Sequence, residues 1–92
     1  MEIEKREYWN RVEWGYWEGD EFILHREGGP AIERNTGSMF WYYHGKLHRE
    51  DGPARELSDG AKSWWYHGHE AKNEKEFYNK EWRNKILLAL VK

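Results

Sequence analysis

The chain contains no cysteine, only two prolines, and no apolar run longer than the six residues from Ile86 to Val91. The first absence removes both a disulfide framework and any thiolate metal site, and it suits a reducing cytosol. The last leaves nothing long enough to cross a bilayer as a helix, which takes about 20 apolar residues. The opening stretch Met1-Glu2-Ile3-Glu4-Lys5-Arg6-Glu7 lacks the apolar segment of a secretory signal, so the expected location is the cytoplasm. A basic block is also missing: 15 Lys and Arg stand against 17 Asp and Glu, interspersed, for a formal charge of −2. Such a surface has no phosphate-tracking face, and neither a membrane nor a sequence-specific nucleic-acid partner is expected.

Aromatic residues are abundant instead. Aliphatic residues are few before position 86, whereas seven Trp, six Tyr and three Phe make up 17% of the 92 residues. A single domain of this length removes only about 60–65% of its unfolded surface from water. Aromatic burial is therefore expected to supply most of the core.

The chain repeats itself. Leu24-His25-Arg26-Glu27-Gly28-Gly29-Pro30-Ala31-Ile32-Glu33 recurs 23 residues later as Leu47-His48-Arg49-Glu50-Asp51-Gly52-Pro53-Ala54-Arg55-Glu56, with eight of ten positions identical. The same offset carries Gly37 to Gly60, Trp41 to Trp64, Tyr43 to Tyr66, His44 to His67 and Gly45 to Gly68. Asn35-Thr36-Gly37 and Ser58-Asp59-Gly60 have hairpin-turn chemistry. They separate strand-like runs: Ala31 to Arg34 from Ser38 to Tyr43, and Ala54 to Leu57 from Ala61 to Tyr66. His44-Gly45 and His67-Gly68 then close the aromatic strands in the manner of an Asn-Gly turn, and Gly29-Pro30 and Gly52-Pro53 form the next corners.

The expected fold is mainly β with a C-terminal α-helix, an antiparallel meander of 23-residue hairpin repeats in one domain. Residues 1–34 form a divergent first repeat, in which about three extra residues between Gly19 and His25 predict a longer loop or bulge. Residues 35–57 form the second repeat and 58–72 a truncated third. Residues 73–92 form the cap that a repeat array needs at its open end. There Asn73 can cap a helix with Glu76 at its third position, and Tyr78, Trp82, Ile86 and Ala89 or Leu90 share one face. A single helix of about 15–18 residues is predicted.

The run Trp41-Tyr42-Tyr43-His44-Gly45-Lys46-Leu47-His48-Arg49-Glu50-Asp51-Gly52-Pro53-Ala54 resembles the units of a MORN-like repeat family common in phage, prophage and large-virus proteins. Trp65 through Gly68 into Glu76-Phe77 resembles that family's usual ending, so the likeness covers roughly residues 14 to 82. It implies an interaction scaffold of phage or mobile-element origin. This chain departs from the pattern in its widened first unit, in His at 44 and 67 where Asn is common, and in the apolar extension Ile86 to Val91.

Three constellations are candidate sites. The histidines 25, 44, 48, 67 and 69 invite a metal reading. Yet His25 and His48 are repeat copies, as are His44 and His67, which points to a repeated packing role, and no metal or other cofactor is expected. The His-Arg-Glu triplets could orient an imidazole on Glu27 or Glu50. A duplicated triplet does not make one convergent catalytic centre, and no nucleophile elbow or phosphate loop is present, so an enzyme is not expected. The third constellation is aromatic. Strand alternation puts Trp41, Tyr43, Trp64 and Tyr66 on one face, and Tyr42 and Trp65 on the other. One helix cannot cover both faces, which leaves a candidate binding surface of these six residues with Arg49 and Arg55. Leu87, Leu90 and Val91, in a run with more apolar residues than one helical stripe buries, are candidates for a contact between copies.

The aromatic surface points to a binding protein, and the resemblance implies a phage-type accessory protein that binds and inhibits a bacterial host protein, such as a CRISPR effector or another antiviral defence component. A sponge for a small cyclic nucleotide is the rival, with rings stacking the base and Arg26, Arg49 or Lys46 meeting phosphate. A structural or assembly module is the third reading.

Overall fold

The computed structural model describes residues 1–91; Lys92, counted above with the capping helix, lies outside them. The fold is mainly antiparallel β with helix at the C-terminal end, as the repeat predicts. The strands are β1 (Glu4–Glu7), β2 (Arg11–Glu18), β3 (Glu21–Leu24), β4 (Ile32–Arg34), β5 (Met39–Phe40), β6 (Tyr42–Tyr43), β7 (Lys46–Leu47), β8 (Arg55–Glu56), β9 (Lys62–Ser63), β10 (Trp65–Tyr66) and β11 (His69–Glu70). Seven of them form one sheet in the order β1-β2-β4-β5-β8-β9, with β3 also on β2, while β6-β7 and β10-β11 are separate two-stranded ladders.

The long aromatic strands of the sequence are each divided by a tryptophan. The Trp41 N–H donates to Ala54 O at 2.8 Å, and its carbonyl accepts from His48 N at 3.0 Å. One residue thereby bridges the main sheet and the small hairpin. Trp14, inside unbroken β2, makes the equivalent bonds, donating to Ala31 O and accepting from His25 N, and the Trp64 carbonyl accepts from Ala71. The alanine of each Gly-Pro-Ala corner accepts a hydrogen bond from such a tryptophan, and Ala31 and Ala54 are fully buried.

Turn geometry follows residue chemistry. Gly37 and Gly60 sit at φ +99° and +93° as the last residue of three-residue loops, the position that a left-handed bulge requires. The pairs His44-Gly45 and His67-Gly68 hold positive φ at both central positions, the mark of a type I′ hairpin. The first unit differs from expectation. It has neither a loop nor a bulge after Gly19; the hairpin of β2 and β3 is instead longer and closes on the two-residue turn Gly19-Asp20 between Glu18 and Glu21. Extra residues extend the ladder because Glu21 to Leu24 alternate properly against Gly15 to Glu18.

The C-terminal cap is two helices, α1 (Glu74–Phe77) and α2 (Lys80–Leu90), where the periodicity predicts one. Asn73 does cap α1, its side chain accepting from Glu76 N at 2.9 Å. Asn79, however, is extended and caps a second helix by accepting from Trp82 N at 2.9 Å. The α1 carbonyl exposed by the break, Phe77 O, accepts from Arg83 Nε at 2.7 Å. A local side-chain acceptor outcompetes helix continuation here.

The core is smaller and less aromatic than composition suggests. Buried apolar residues are Ala31, Ile32, Ala54, Tyr66, Ala71, Phe77 and Ile86, with a cluster of Tyr66, Ala71, Phe77 and Ile86 backed by Trp64 and Trp82. Most other rings are half-buried, and several of these are covered by guanidinium groups. Arg26 lies 3.7 Å from the Trp14 ring centre, Arg49 4.0 Å from Trp41 and Arg11 4.0 Å from Tyr8. These contacts hide ring faces from water while each cation keeps its own solvation. The molecule is a slab of 40 × 35 × 18 Å.

Gly15 is the tightest point of the sheet: a Cβ there would stand 2.2 Å from the Ile23 carbonyl oxygen. Gly15→Ala is expected to cost about 3 kcal/mol or more through overpacking against backbone. Gly60→Ala, in open space at positive φ, should cost about 1–2 kcal/mol. Urea unfolding of the two variants ranks them, and equal losses would contradict the packing argument.

Candidate functional site

Successive units are joined by one repeated set of hydrogen bonds. His25 Nδ1 accepts the His44 N–H at 2.8 Å, and His48 Nδ1 accepts the His67 N–H at 2.8 Å. Beside each, Gly45 N donates to Leu24 O and Gly68 N to Leu47 O, both at 2.8 Å, and Arg26 N and Arg49 N donate to Tyr42 O and Trp65 O, both at 3.2 Å. The rings pack face to face across the joint, tilted by 37° with centres 4.3 Å apart for His25 and His44 and stacked at 4.0 Å for His48 and His67. Each unit's Leu-His-Arg segment is thus the seat for the next unit's I′ turn.

The arginine after each histidine folds back over its own corner. Arg26 Nη1 donates to Pro30 O at 3.1 Å and Arg49 Nη1 to Pro53 O at 3.0 Å. The guanidinium packs on the bare backbone beneath: a Cβ on Gly52 would stand 2.8 Å from the Arg49 Cζ and push the side chain aside. Arg49 also pairs with Glu56 at 3.0 Å, and Arg26 with Glu33 at 3.6 Å.

Between the two repeated corners lies a groove of about 580 Å³. Trp41, Tyr43, His48 and His67 form its floor and walls, Arg26 and Arg49 its sides, and Glu27, Glu50 and Asp51 its rim. Of the eight residues proposed for binding, Trp41, Tyr43 and Arg49 meet here. Trp64 and Tyr66 do not: they lie under the helices, Tyr66 only 6% exposed and the Trp64 indole N–H buried without a hydrogen-bond partner. That part of the predicted aromatic surface is core, because two helices cover what one was expected to leave open. Trp65 bonds Ser63 Oγ through its Nε1 at 2.9 Å, Arg55 lies 5.9 Å from the Phe40 ring, and Tyr42 supplies a carbonyl to the unit joint. None of the three lines the groove. Leu87, Leu90 and Val91 are 40%, 44% and 81% exposed on α2. Sequence reasoning missed the acidic rim, although the 23-residue offset that pairs Glu27 with Glu50 marks it.

Ligand atoms of His48, Glu50 and His67 lie within 4.8 Å of one another. The His67 N–H occupies His48 Nδ1, which leaves the neutral ring its proton on Nε2, and that nitrogen faces Glu50 Oε2 at 2.7 Å. A metal there would need the lone pair that this tautomer lacks. His67 and His69 do not share a strand face, because His67 sits in the left-handed turn.

Both joint histidines must be neutral to accept their N–H. Burial holds His25 below its ordinary 6.5, with the neighbouring His44 adding to the effect and Glu27 opposing it. Burial does the same to His48, helped by His67 and Arg83 and opposed by Glu50. Between the depressed folded values and 6.5, the unfolded chain binds more protons than the folded one. Stability is therefore full above 6.5 and falls as pH drops through that window. Thermal unfolding followed from about pH 8 to about pH 5 should reveal this loss. His25→Asn with His48→Asn, whose Oδ1 accepts without titrating, should flatten the slope; an unchanged slope would remove the histidines as its cause.

Comparison with protein-family models, curated proteins and solved structures finds no match for this chain. What the molecule defines by itself is a class: an antiparallel β repeat sheet closed at one end by two helices. No helix among the described residues is long and apolar enough to cross a membrane.

Proposed function

We propose that this chain is a protein-binding module, a phage-type accessory protein that works in the host cytoplasm by docking on and blocking a host protein such as an antiviral defence component. One observation carries the binding reading. Trp41, Tyr43 and Arg49, the residue types that dominate protein interfaces, converge in an open groove instead of being consumed by the core. Arg49 is held by the Pro53 carbonyl, by Glu56 and by the Trp41 face, so little ordering is left to be done on binding. The host and its defence machinery as target come from the resemblance of the repeat to MORN-like viral units.

The nucleotide-sponge reading fits the groove less well. Glu27, Glu50 and Asp51 rim it and would repel phosphate, while both arginines already serve carboxylates and carbonyls.

A tagged chain with a photo-crosslinking phenylalanine analogue at position 41 is expected to capture one stoichiometric protein from bacterial lysate. Trp41→Ala should weaken that capture about tenfold or more, with circular dichroism to verify the fold. Trp9→Ala, a change at an 89% exposed ring far along the chain, should leave it intact. Capture of no stoichiometric protein, or equal crosslinking from position 9, would overturn the proposal.

A further inference from the structure

We infer that the open groove is a receptor for an arginine side chain presented by a protein partner, an inference that rests on the binding reading above. The molecule contains a second copy of this groove, already filled. The offset of 23 residues maps Trp41, Tyr43 and Glu27 onto Trp64, Tyr66 and Glu50. At that second position the C-terminal helices lie over the rings, and the group they insert is Arg83. Its guanidinium sits 4.6 Å from the Tyr66 ring centre, donates to the Glu50 carbonyl at 2.7 Å and lies 3.9 Å from the Glu50 carboxylate. Ring, carbonyl and carboxylate, with the Phe77 carbonyl that accepts from Nε at 2.7 Å, together satisfy one arginine.

At the first position the same ring and the same acid face an open groove. Glu27 and Tyr43 both line it, and among the described residues Glu27 takes part in no ion pair or hydrogen bond. Arg26 and Arg49, on the sides of the groove, pair with Glu33 and Glu56, and Arg49 Nε also lies 3.8 Å from the Asp51 carboxylate, so Glu27 is the rim carboxylate left for an incoming cation. A planar cation that stacks on Tyr43 while its N–H groups reach Glu27 matches both features.

Two differences between the copies refine the occupant. His48 stands where Ala71 stands in the filled copy. Ala71 makes room for the fully buried Phe77, whereas the His48 imidazole, stacked on His67, blocks an aromatic ring from following the arginine. Gly28, at φ +81°, replaces Asp51 and turns the corner differently. The Glu27 carboxylate is therefore the acceptor assigned here, in place of the carbonyl that Glu50 offers.

The test is titration of the intact, isotope-labelled chain with three alanine-based helical peptides that carry one central arginine, lysine or citrulline, read by amide and ring chemical shifts. The arginine peptide should shift Tyr43 and residues 27–29, bind more tightly than the lysine peptide, and leave the citrulline peptide behind by about threefold or more, the scale of a half-exposed charge contact. Glu27→Gln, at an exposed position that should not unfold the chain, should erase the advantage of arginine over citrulline, and Glu2→Gln should not. Equal binding of the citrulline peptide, shifts confined to other surfaces, or an unchanged preference in Glu27→Gln would overturn the inference. A captured partner that enters the groove without an arginine would sink this inference and leave the binding reading intact. Arginine selectivity with no captured partner would keep the arginine seat but overturn the binding reading and, with it, a protein partner as the donor.

Discussion

The unit joint is the contact on which the rest of the structure depends: an imidazole nitrogen accepting the backbone N–H of a residue held in a left-handed turn. His44 and His67 sit at φ +49°, a conformation that costs a non-glycine residue about 1–2 kcal/mol. Each is held there by the preceding unit's histidine, through both the hydrogen bond and the stacked ring. The same joint fixes where the next tryptophan and tyrosine lie relative to the arginine corner. Groove, arginine seat and tautomer all follow from it.

The joint also fixes the chemistry of two of the five histidines, His25 and His48. An imidazole that accepts through Nδ1 carries its proton on Nε2, so the nitrogen facing Glu50 is a donor. Spacing in the sequence brought the three groups together, but protonation decides their chemistry. Repetition of His25 at His48 had already pointed to packing, and the shared bond to the next turn supplies the physical content of that repetition.

Aromatic richness has a different meaning from the one composition suggests. Among the Trp, Tyr and Phe rings of the described residues, Tyr66 and Phe77 alone are buried; the others are half-covered or exposed, several of them under arginines. A sheet this thin cannot enclose rings on both faces, and guanidinium groups lid them without being desolvated. Where the lid belongs to the chain, as with Arg83, a groove becomes core. At Tyr43 the chain supplies no such lid.

The sequence alone determined the repeat, the turns and the start of the cap. Those depend on local chemistry: Gly at positive φ, His-Gly as an I′ pair, and Asn73 three residues before Glu76. It also placed Trp41, Tyr43 and Arg49 together, because alternation and the offset of 23 residues are visible in one dimension. Tertiary structure decided the rest. Whether Asn79 continued a helix or capped a new one depended on Arg83 reaching back to Phe77 O. Whether Trp64 and Tyr66 were surface or core depended on where the two helices came to lie. Equivalent residues in a repeat share local structure, but their exposure is set by what covers them, and that information lies in contacts between distant parts of the chain.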